Sequence, residues 1–362
     1  MKKYERVERW IRGAVGEGRI SPGEKLPSES QLCQQFGVSR NAVRQAIRNL
    51  AHEGLVESIK GVGTFCRLRV ADNRLSTNIG FVVFFTSSYI FPEIIRGCDH
   101  VLYKRGFHLL LNQSEYDLEK ERNILLNLRR KRVDGIIIAP VYDGSKRSNA
   151  DLLSEFQDEG IPVVLIDSYF PNRDFGSVAL DDRLGGREAV SFLWGKGHRR
   201  IGAFYQQDYY VKILRKEGVE EFLREKGAPI RREWFVGFKG QGPTGEAPEA
   251  AERFFATARD LPTAFVCSND EDALHLMRAA ERHNLKIPDD LSVVGFDNSN
   301  IAQLDQIALT SIHHPSFLMG ETATNILLDE ILHPELRFVT RTVVAPALVE
   351  RSSVRAMEPA ES

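Results

Sequence analysis

The chain has 362 residues, 42% hydrophobic and 27% charged, with 48 Lys and Arg against 50 Asp and Glu and a formal net charge of −2. That length carries two or three domains and a sizeable core, and near-neutrality taken alone argues against a basic nucleic-acid binder. There is no apolar run of the ~18 residues that a membrane span needs, no apolar stretch after the basic start MKKYERVERW to make a secretory signal, and no paired spacing among Cys33, Cys66, Cys98 and Cys267 to suggest zinc or a disulfide frame. These exclusions predict a cytoplasmic protein, clear of the membrane, with no metal and no cofactor.

The charge is unevenly spread. Residues 1–70 hold 13 Lys and Arg against 7 acids, all Glu, a net of +6; the remainder holds 35 basic and 43 acidic residues, a net of −8. Such asymmetry points to a nucleic-acid module joined to something else. Val7, Trp10, Ile11, Ala14 and Val15 fall on one face of a helix. Ser28 and Gln31 fit a capping box, which starts a second helix that buries Leu32 and Phe36. Gly37 makes a tight turn and Ser39 caps a third helix. Its inner face is Val43, Ala46, Ile47 and Leu50; its outer face carries Arg40, Asn41, Arg44, Gln45 and Arg48. Two short strands, 55–59 and 64–66, follow around a Gly-containing turn with Lys60 at its tip. Helix, turn, helix and hairpin make a winged helix-turn-helix. Arg suits guanine, Gln and Asn suit adenine, and the remaining cations suit phosphate.

The stretch GEKLPSESQLCQQFGVSRNAVRQAIRNLAHEGLVESIKGVGTF (23–65) resembles the winged helix of GntR-type bacterial regulators, and the resemblance covers residues 4–66. It implies that Arg40, Asn41, Arg44 and Gln45 on the recognition helix and Lys60, Gly61 and Gly63 on the wing contact double-stranded operator DNA. It also implies that Lys3 and Glu29 lie near the DNA backbone or orient an Arg. Cys66 stands where that family usually has Val, another small apolar residue.

Residues 69–77 are polar and aperiodic and read as a linker. From Asn78 strands and helices alternate. The apolar run 79–85 is a buried strand, followed by helix 94–105, strand 107–111, helix 115–130, strand 135–139, helix 152–160 and strand 162–166. A second series follows: helix 187–194, strand 200–204, helix 212–226, strand 234–238, helix 247–258, strand 264–267, helix 270–283 and strand 291–295. A last helix, 317–332, and strand, 338–344, return to the lobes. The predicted class is α/β: an N-terminal winged helix-turn-helix (1–68), a linker (69–77), a two-lobed domain with doubly wound parallel sheets (78–352) and a flexible tail (353–362). Ligands of such sheets bind beyond the carboxyl ends of the strands. Here those ends carry 86–91, 167–169, 205–208, 268–270 and 297–300, a mixture of carboxylates, amides and aromatic rings suited to a neutral sugar.

The segments VDGIIIAP (133–140), GIPVVLIDS (160–168), KGHRRIG (196–202), PTAFVCSNDEDAL (262–274) and IPDDLSVVGFDNS (287–299) resemble the LacI/GalR effector domain, itself similar to periplasmic sugar-binding proteins. A GntR head on such a body resembles the arabinose-repressor type of regulator found in Gram-positive bacteria. YIFPEIIRG (89–97), ALDDRLGG (179–186) and LTSIHHP (309–315) carry that likeness. It implies a homodimeric, sugar-responsive repressor with L-arabinose as effector. Matched motif by motif, it assigns Arg215, Asn269 and Asp297 to the sugar and Tyr89 and Phe91 to the first lobe's side of the ligand. Asp181 and His313 are further candidates.

Rival readings rest on weaker patterns. Residues 240–245 match GxGxxG, but Pro243 removes a backbone donor and the match lies deep in the second series. Asp181 and Asp182, or Asp270 and Asp272, could serve a sugar-processing enzyme as paired acids. Their places inside binding-protein motifs favour ligand contact or helix capping. His313 and His314 are adjacent on a strand end, point to opposite sides and make no metal pair, and His198 reads as structural. A solute-binding module without regulation, an activator role for the same head and a different effector sugar complete the alternatives.

Overall fold

A computed structural model describes residues 3–16, 19–20, 23–52, 55–59, 62–66, 75–87, 90–145, 147–240, 245–335 and 339–357. The chain divides into two units, Met1–Asn78 with His100–His108, and Ile79–Asp99 with Leu109–Ser362. No helix among the described residues is long and apolar enough to cross a membrane.

The first unit has helices α1 (Lys3–Gly16), α2 (Glu29–Phe36) and α3 (Arg40–His52), then a hairpin of β1 (Val56–Ile59) and β2 (Gly63–Cys66). Val7, Ile11 and Ala14 of α1 are fully buried, one apolar stripe at helical spacing. The capping box closes α2: Ser28 N donates to Gln31 Oε1 at 2.8 Å and Gln31 N to Ser28 Oγ at 3.3 Å. Gly37 ends α2 in the left-handed region, φ +62, where an L side chain is strained. The hairpin is antiparallel, with Val56 opposite Cys66 and Ile59 opposite Gly63. Residues 24–26 lie along its free edge, as Leu26 N donates to Thr64 O and Cys66 N to Glu24 O.

The second unit holds two six-stranded sheets. In chain order its elements are β3 (Asn78–Val83), α4 (Phe91–Arg105), β4 (His108–Gln113), α5 (Leu118–Arg130), β5 (Gly135–Ile138), α6 (Ala150–Asp158), β6 (Val163–Ile166) and β7 (Gly176–Leu180). Next come α7 (Asp182–Gly195), β8 (Ile201–Gln206), α8 (Tyr210–Glu225), β9 (Phe235–Phe238), α9 (Ala247–Thr257), β10 (Ala264–Cys267), α10 (Asp270–Arg282) and β11 (Ser292–Asp297). The chain closes with β12 (Thr310–His313), α11 (Ser316–Leu332), β13 (Arg341–Val344) and β14 (Ala347–Val349). The first lobe's strands run β13-β7-β6-β5-β3-β4 and the second's β14-β12-β11-β10-β8-β9. Pairings from β13 to β3 and from β12 to β9 are parallel, and β14 is antiparallel to β12. The central strands are buried along their length, as parallel strands covered on both faces must be.

The chain passes between the lobes before α7, before α11 and between β13 and β14. The first two passages lead into helices packed very close to a neighbour. Gly186 of α7 and Gly218 of α8 face the main-chain oxygens of Arg215 and Arg183, where any Cβ would collide. Gly97 of α4 and Gly320 of α11 meet Phe317 and Ile94 in the same reciprocal way.

Strands β7, β12 and β14 are not foreseen from the sequence. They are short, and GSVAL and TSIH lack the aliphatic run that marks a buried strand. The predicted flexible tail is corrected as far as residue 357. Ser353 Oγ accepts from Thr310 N at 2.8 Å and donates to Val293 O at 2.6 Å, and Met357 N donates to Lys196 O at 2.7 Å. These residues run along the starts of β11 and β12 and satisfy polar groups buried there. His198 is structural, bonded to Thr263 Oγ1 and to the Arg355 carbonyl. Of residues 240–245, 241–244 lie outside the described residues, as do 69–74 of the linker.

Candidate nucleic-acid interface and ligand site

In the first unit the buried side of α3 fixes the open one. Val43, Ala46, Ile47 and Leu50 enter the core, so Arg40, Asn41, Arg44 and Arg48 stand exposed. Glu29 at the start of α2 aims Arg44: the guanidinium Nε lies 3.0 Å from both carboxylate oxygens, and the pairing raises its pKa further. Arg40 Nη2 approaches Ser30 Oγ at 3.4 Å. Gln45 is half-buried and drawn along the helix, with Nε2 donating to Asn49 Oδ1 at 2.8 Å and Oε1 accepting from Arg48 at 3.1 Å. Asn49 in turn donates to Glu8 of α1 at 2.7 Å. Lys3 is exposed at the start of α1, and Gly63 opens β2 at φ +144 beside the Lys25 side chain. Lys60 and Gly61 lie outside the described residues. An outward row of guanidinium and amide groups beside a hairpin can grip phosphate and reach base edges.

In the second unit, strand ends from both sheets gather a buried polar network. Arg215 of α8 is 3% exposed. Its Nε donates to Asp182 Oδ1 at 2.7 Å, its Nη1 to Asp297 Oδ1 at 3.2 Å and to the Ser268 carbonyl at 2.5 Å, and its plane lies 3.6 Å from the Phe296 ring centre. Burial pushes the Asp182 carboxyl up to about 7, against the pull of Arg215. Asp270 is likewise pushed up to about 7 by burial and by the Asp297 charge; its oxygens accept from Ser311 Oγ and Ser299 N, each at 2.6 Å. Buried Lys212 stands 3.7 Å from Asp272, whose carboxylate also accepts from Ser268 Oγ at 2.5 Å. Asp167, after β6, meets His314 Nε2 at 3.1 Å. Burial lowers the His314 pKa, but the bond to Asp167 together with the charges of Asp167 and Asp297 outweighs it and the net shift is upward.

Four buried side-chain oxygens at these strand ends have no hydrogen-bond partner among the described residues: Ser168 Oγ, Gln206 Oε1, Asp297 Oδ2 and Ser299 Oγ. A buried polar atom left unpaired costs about 1–3 kcal/mol. Two of the four, Gln206 Oε1 and Asp297 Oδ2, can only accept, so they call for a ligand that donates protons.

The structure brings Arg215 and Asp297 together, and the remaining described candidates make other contacts. Asn269 is fully buried, but its Oδ1 caps α10 by accepting from Asp272 N at 2.6 Å. Asp181 caps α7 through Leu184 N at 3.0 Å. Phe91, at the start of α4, packs edge-on to Phe84 at 5.9 Å. His313 is half-buried beside Asn298, and it is His314 that joins the network. Tyr89 lies outside the described residues. Asp167, Ser168 and Gln206 fall within strand ends legible in the sequence, whereas Asp182 stands there only as half of an acid pair and His314 only as half of a rejected metal pair. What distinguishes them is burial beside partners far along the chain.

Residues 3–66 match the model of the bacterial regulatory proteins of the gntR family, and residues 190–354 match the periplasmic binding protein-like domain. The chain is 31% identical over 357 residues to the arabinose metabolism transcriptional repressor of Geobacillus stearothermophilus, covering 98% of each. It is 30% identical over 332 residues to the repressor of the same name in Halalkalibacterium halodurans, covering 90% of this chain and 88% of that one. Among solved structures it is similar in fold to a transcriptional regulator CelR–cellobiose complex, with a TM-score of 0.68, 24% identity and coverage of 87% and 91%.

Proposed function

The chain belongs to the family of the arabinose metabolism transcriptional repressors, which join a gntR-type head to a periplasmic-binding-protein-like body, and we propose that it releases operator DNA when L-arabinose enters the cleft between its two lobes. The head, residues 1–68, binds the operator through Arg40, Asn41 and Arg44, with Glu29 aiming Arg44. Lys3, Gln45 and the wing residues Lys60, Gly61 and Gly63 add contacts around them. Residues 69–77 link it to an effector and dimerisation domain that begins at 78. A homodimer presents two heads to two half-sites of a near-palindromic operator. Sugar binding lowers operator affinity through a coupling free energy of about 1–3 kcal/mol.

The observation that carries the effector reading is the set of unpaired oxygens at the strand ends, the acceptors Gln206 Oε1 and Asp297 Oδ2 with the hydroxyls of Ser168 and Ser299. A sugar's hydroxyls donate to them. The surrounding carboxyls of Asp167, Asp182, Asp270, Asp272 and Asp297 outnumber the basic groups Lys212, Arg215 and His314, which favours a neutral polyol over an anion. Asn269, Tyr89, Phe91, Asp181 and His313 remain proposed contacts around Arg215 and Asp297.

The test is calorimetric titration of the purified protein with pentoses and hexoses, alongside operator release. L-arabinose binds and releases the operator. Asp297→Asn, which tolerates the φ of +96 at that position, weakens sugar binding by about tenfold or more and leaves operator affinity unchanged. Release by the variant at the wild-type sugar concentration places the pocket elsewhere. Turnover of the sugar would favour the enzyme instead.

A further inference from the structure

Two tyrosines reach across the cleft in opposite directions. Tyr209, immediately before α8 of the second lobe, is 1% exposed, and its hydroxyl donates to the Asp167 main-chain carbonyl of the first lobe at 2.9 Å. The same hydroxyl lies 3.2 Å from Asp167 Oδ2. Tyr116, in the first lobe's loop between β4 and α5, accepts at its hydroxyl oxygen from the Gln206 side-chain amide of the second lobe, which leaves Gln206 Oε1 unpaired. The two rings meet edge-to-face at 5.8 Å. Both pack on Phe84: Tyr116 stacks on it at 3.9 Å and Tyr209 stands edge-on at 4.9 Å.

The backbone around the pair is held in an unusual form. Glu115 (φ +54), Tyr116 (φ +59) and Asp167 (φ +55) are all non-glycine residues in the left-handed region. Glu115 N donates to Phe84 O at 3.0 Å, and its side chain pairs with Lys120 at 2.8 Å, so the strained turn is pinned from both sides. Asp167 is fixed by His314. Strain kept in this way marks positions where the surroundings dictate the side chain's place. Burial raises the pKa of both hydroxyls well above the ordinary tyrosine value, with Asp167 next in effect, so both stay protonated.

We propose that Tyr116 and Tyr209 form a reciprocal clasp that closes the two lobes over the effector and sets its affinity. The pair are positioning residues, and the proposal rests on the effector reading above. Each cross-lobe hydrogen bond exists only when the lobes are together. One net hydrogen bond shifts an equilibrium by about fivefold, so two shift the balance of open and closed forms by roughly twenty-five-fold. An effector that needs the closed form loses apparent affinity by up to the same factor.

The test uses the full chain carrying Tyr116→Phe and Tyr209→Phe together, which keeps the rings and removes the hydroxyls. Calorimetry with L-arabinose and X-ray scattering with and without the sugar are compared with wild type, with the single Tyr209→Phe variant as the milder change. The expected result is a dissociation constant for L-arabinose raised by about tenfold or more, a larger radius of gyration in both conditions, and unchanged operator affinity without sugar. Scattering identical to wild type overturns the clasp, even if sugar affinity falls, because the tyrosines would then be simple contacts. If wild type binds no L-arabinose, the effector reading fails separately, and the sugar-free scattering alone decides the clasp.

Discussion

Asp181 and Asp182 are adjacent, and the fold gives them unlike tasks. Asp181 caps α7, while Asp182 turns inward to share Arg215 with Asp297. One residue's step along a helix start rotates the side chain by about 100°, from the helix end to the core. Arg44 shows the same dependence on a neighbour, since Glu29 fixes where its guanidinium points. Replacing Arg44 by Ala should weaken operator binding by about tenfold or more with sugar affinity intact; unchanged operator affinity in a gel-shift titration would remove Arg44 from the interface. Glu121 carries a prediction in pH. It is fully buried, its oxygens accept from Val141 N at 2.7 Å and Asn149 Nδ2 at 2.8 Å, and burial nevertheless pushes it up to about 7 from 4.5. Between those values the folded chain holds a proton that the unfolded chain has released. Its contribution to stability is therefore complete below the unfolded value and is lost as pH rises through the folded one. The unfolding midpoint should fall from about pH 5 to pH 8, and Glu121→Gln should flatten the decline; an equal slope in the variant counts against this role.

At the scale of elements, the close helix pairs connect the lobes' crossings to their sites. α7 follows directly from a crossing, and its contact with α8 through Gly186 and Gly218 lets Asp182 and Arg215 meet. Three further ion pairs, Arg183 with Glu217 and with Glu221, and Arg187 with Glu225, run along the same seam at the surface. Exposed pairs of this kind contribute little, about 0–1 kcal/mol each, so the glycine contact is what sets the spacing. Gly218→Ala drives a methyl group into the Arg183 carbonyl. We expect a loss of roughly 1–3 kcal/mol, read as a drop of several degrees in the unfolding midpoint, with weaker sugar binding as α8 shifts. A midpoint and sugar affinity equal to wild type would show that the seam can open freely. The short strands β7, β12 and β14 escaped the sequence for a related reason. Their residues are neither long-run aliphatic nor alternating, and they form strands because neighbours offer a partner edge.

At the scale of the molecule, the net charge of −2 is the sum of a head at +6 and a body at −8. The partners differ accordingly. Operator affinity should fall steeply and linearly on a logarithmic salt scale, because phosphate contacts release counterions. Affinity for a neutral sugar should barely move with salt. Parallel slopes for the two ligands would contradict the division of labour. By itself the sequence determined the winged head, the two alternating series of strands and helices, the strand ends as the place for a ligand and the family. Each of these follows from local periodicity, capping and short motifs. Only the tertiary structure decided which side chains meet: Arg215 with Asp182 and Asp297, 33 and 82 positions away, and His314 with Asp167, 147 positions away. Periodicity records whether a residue is buried, but its partner depends on how the chain passes between the lobes. That is why Tyr116 and Tyr209 left no local signal, and why residues 353–357 are held where their composition promised nothing.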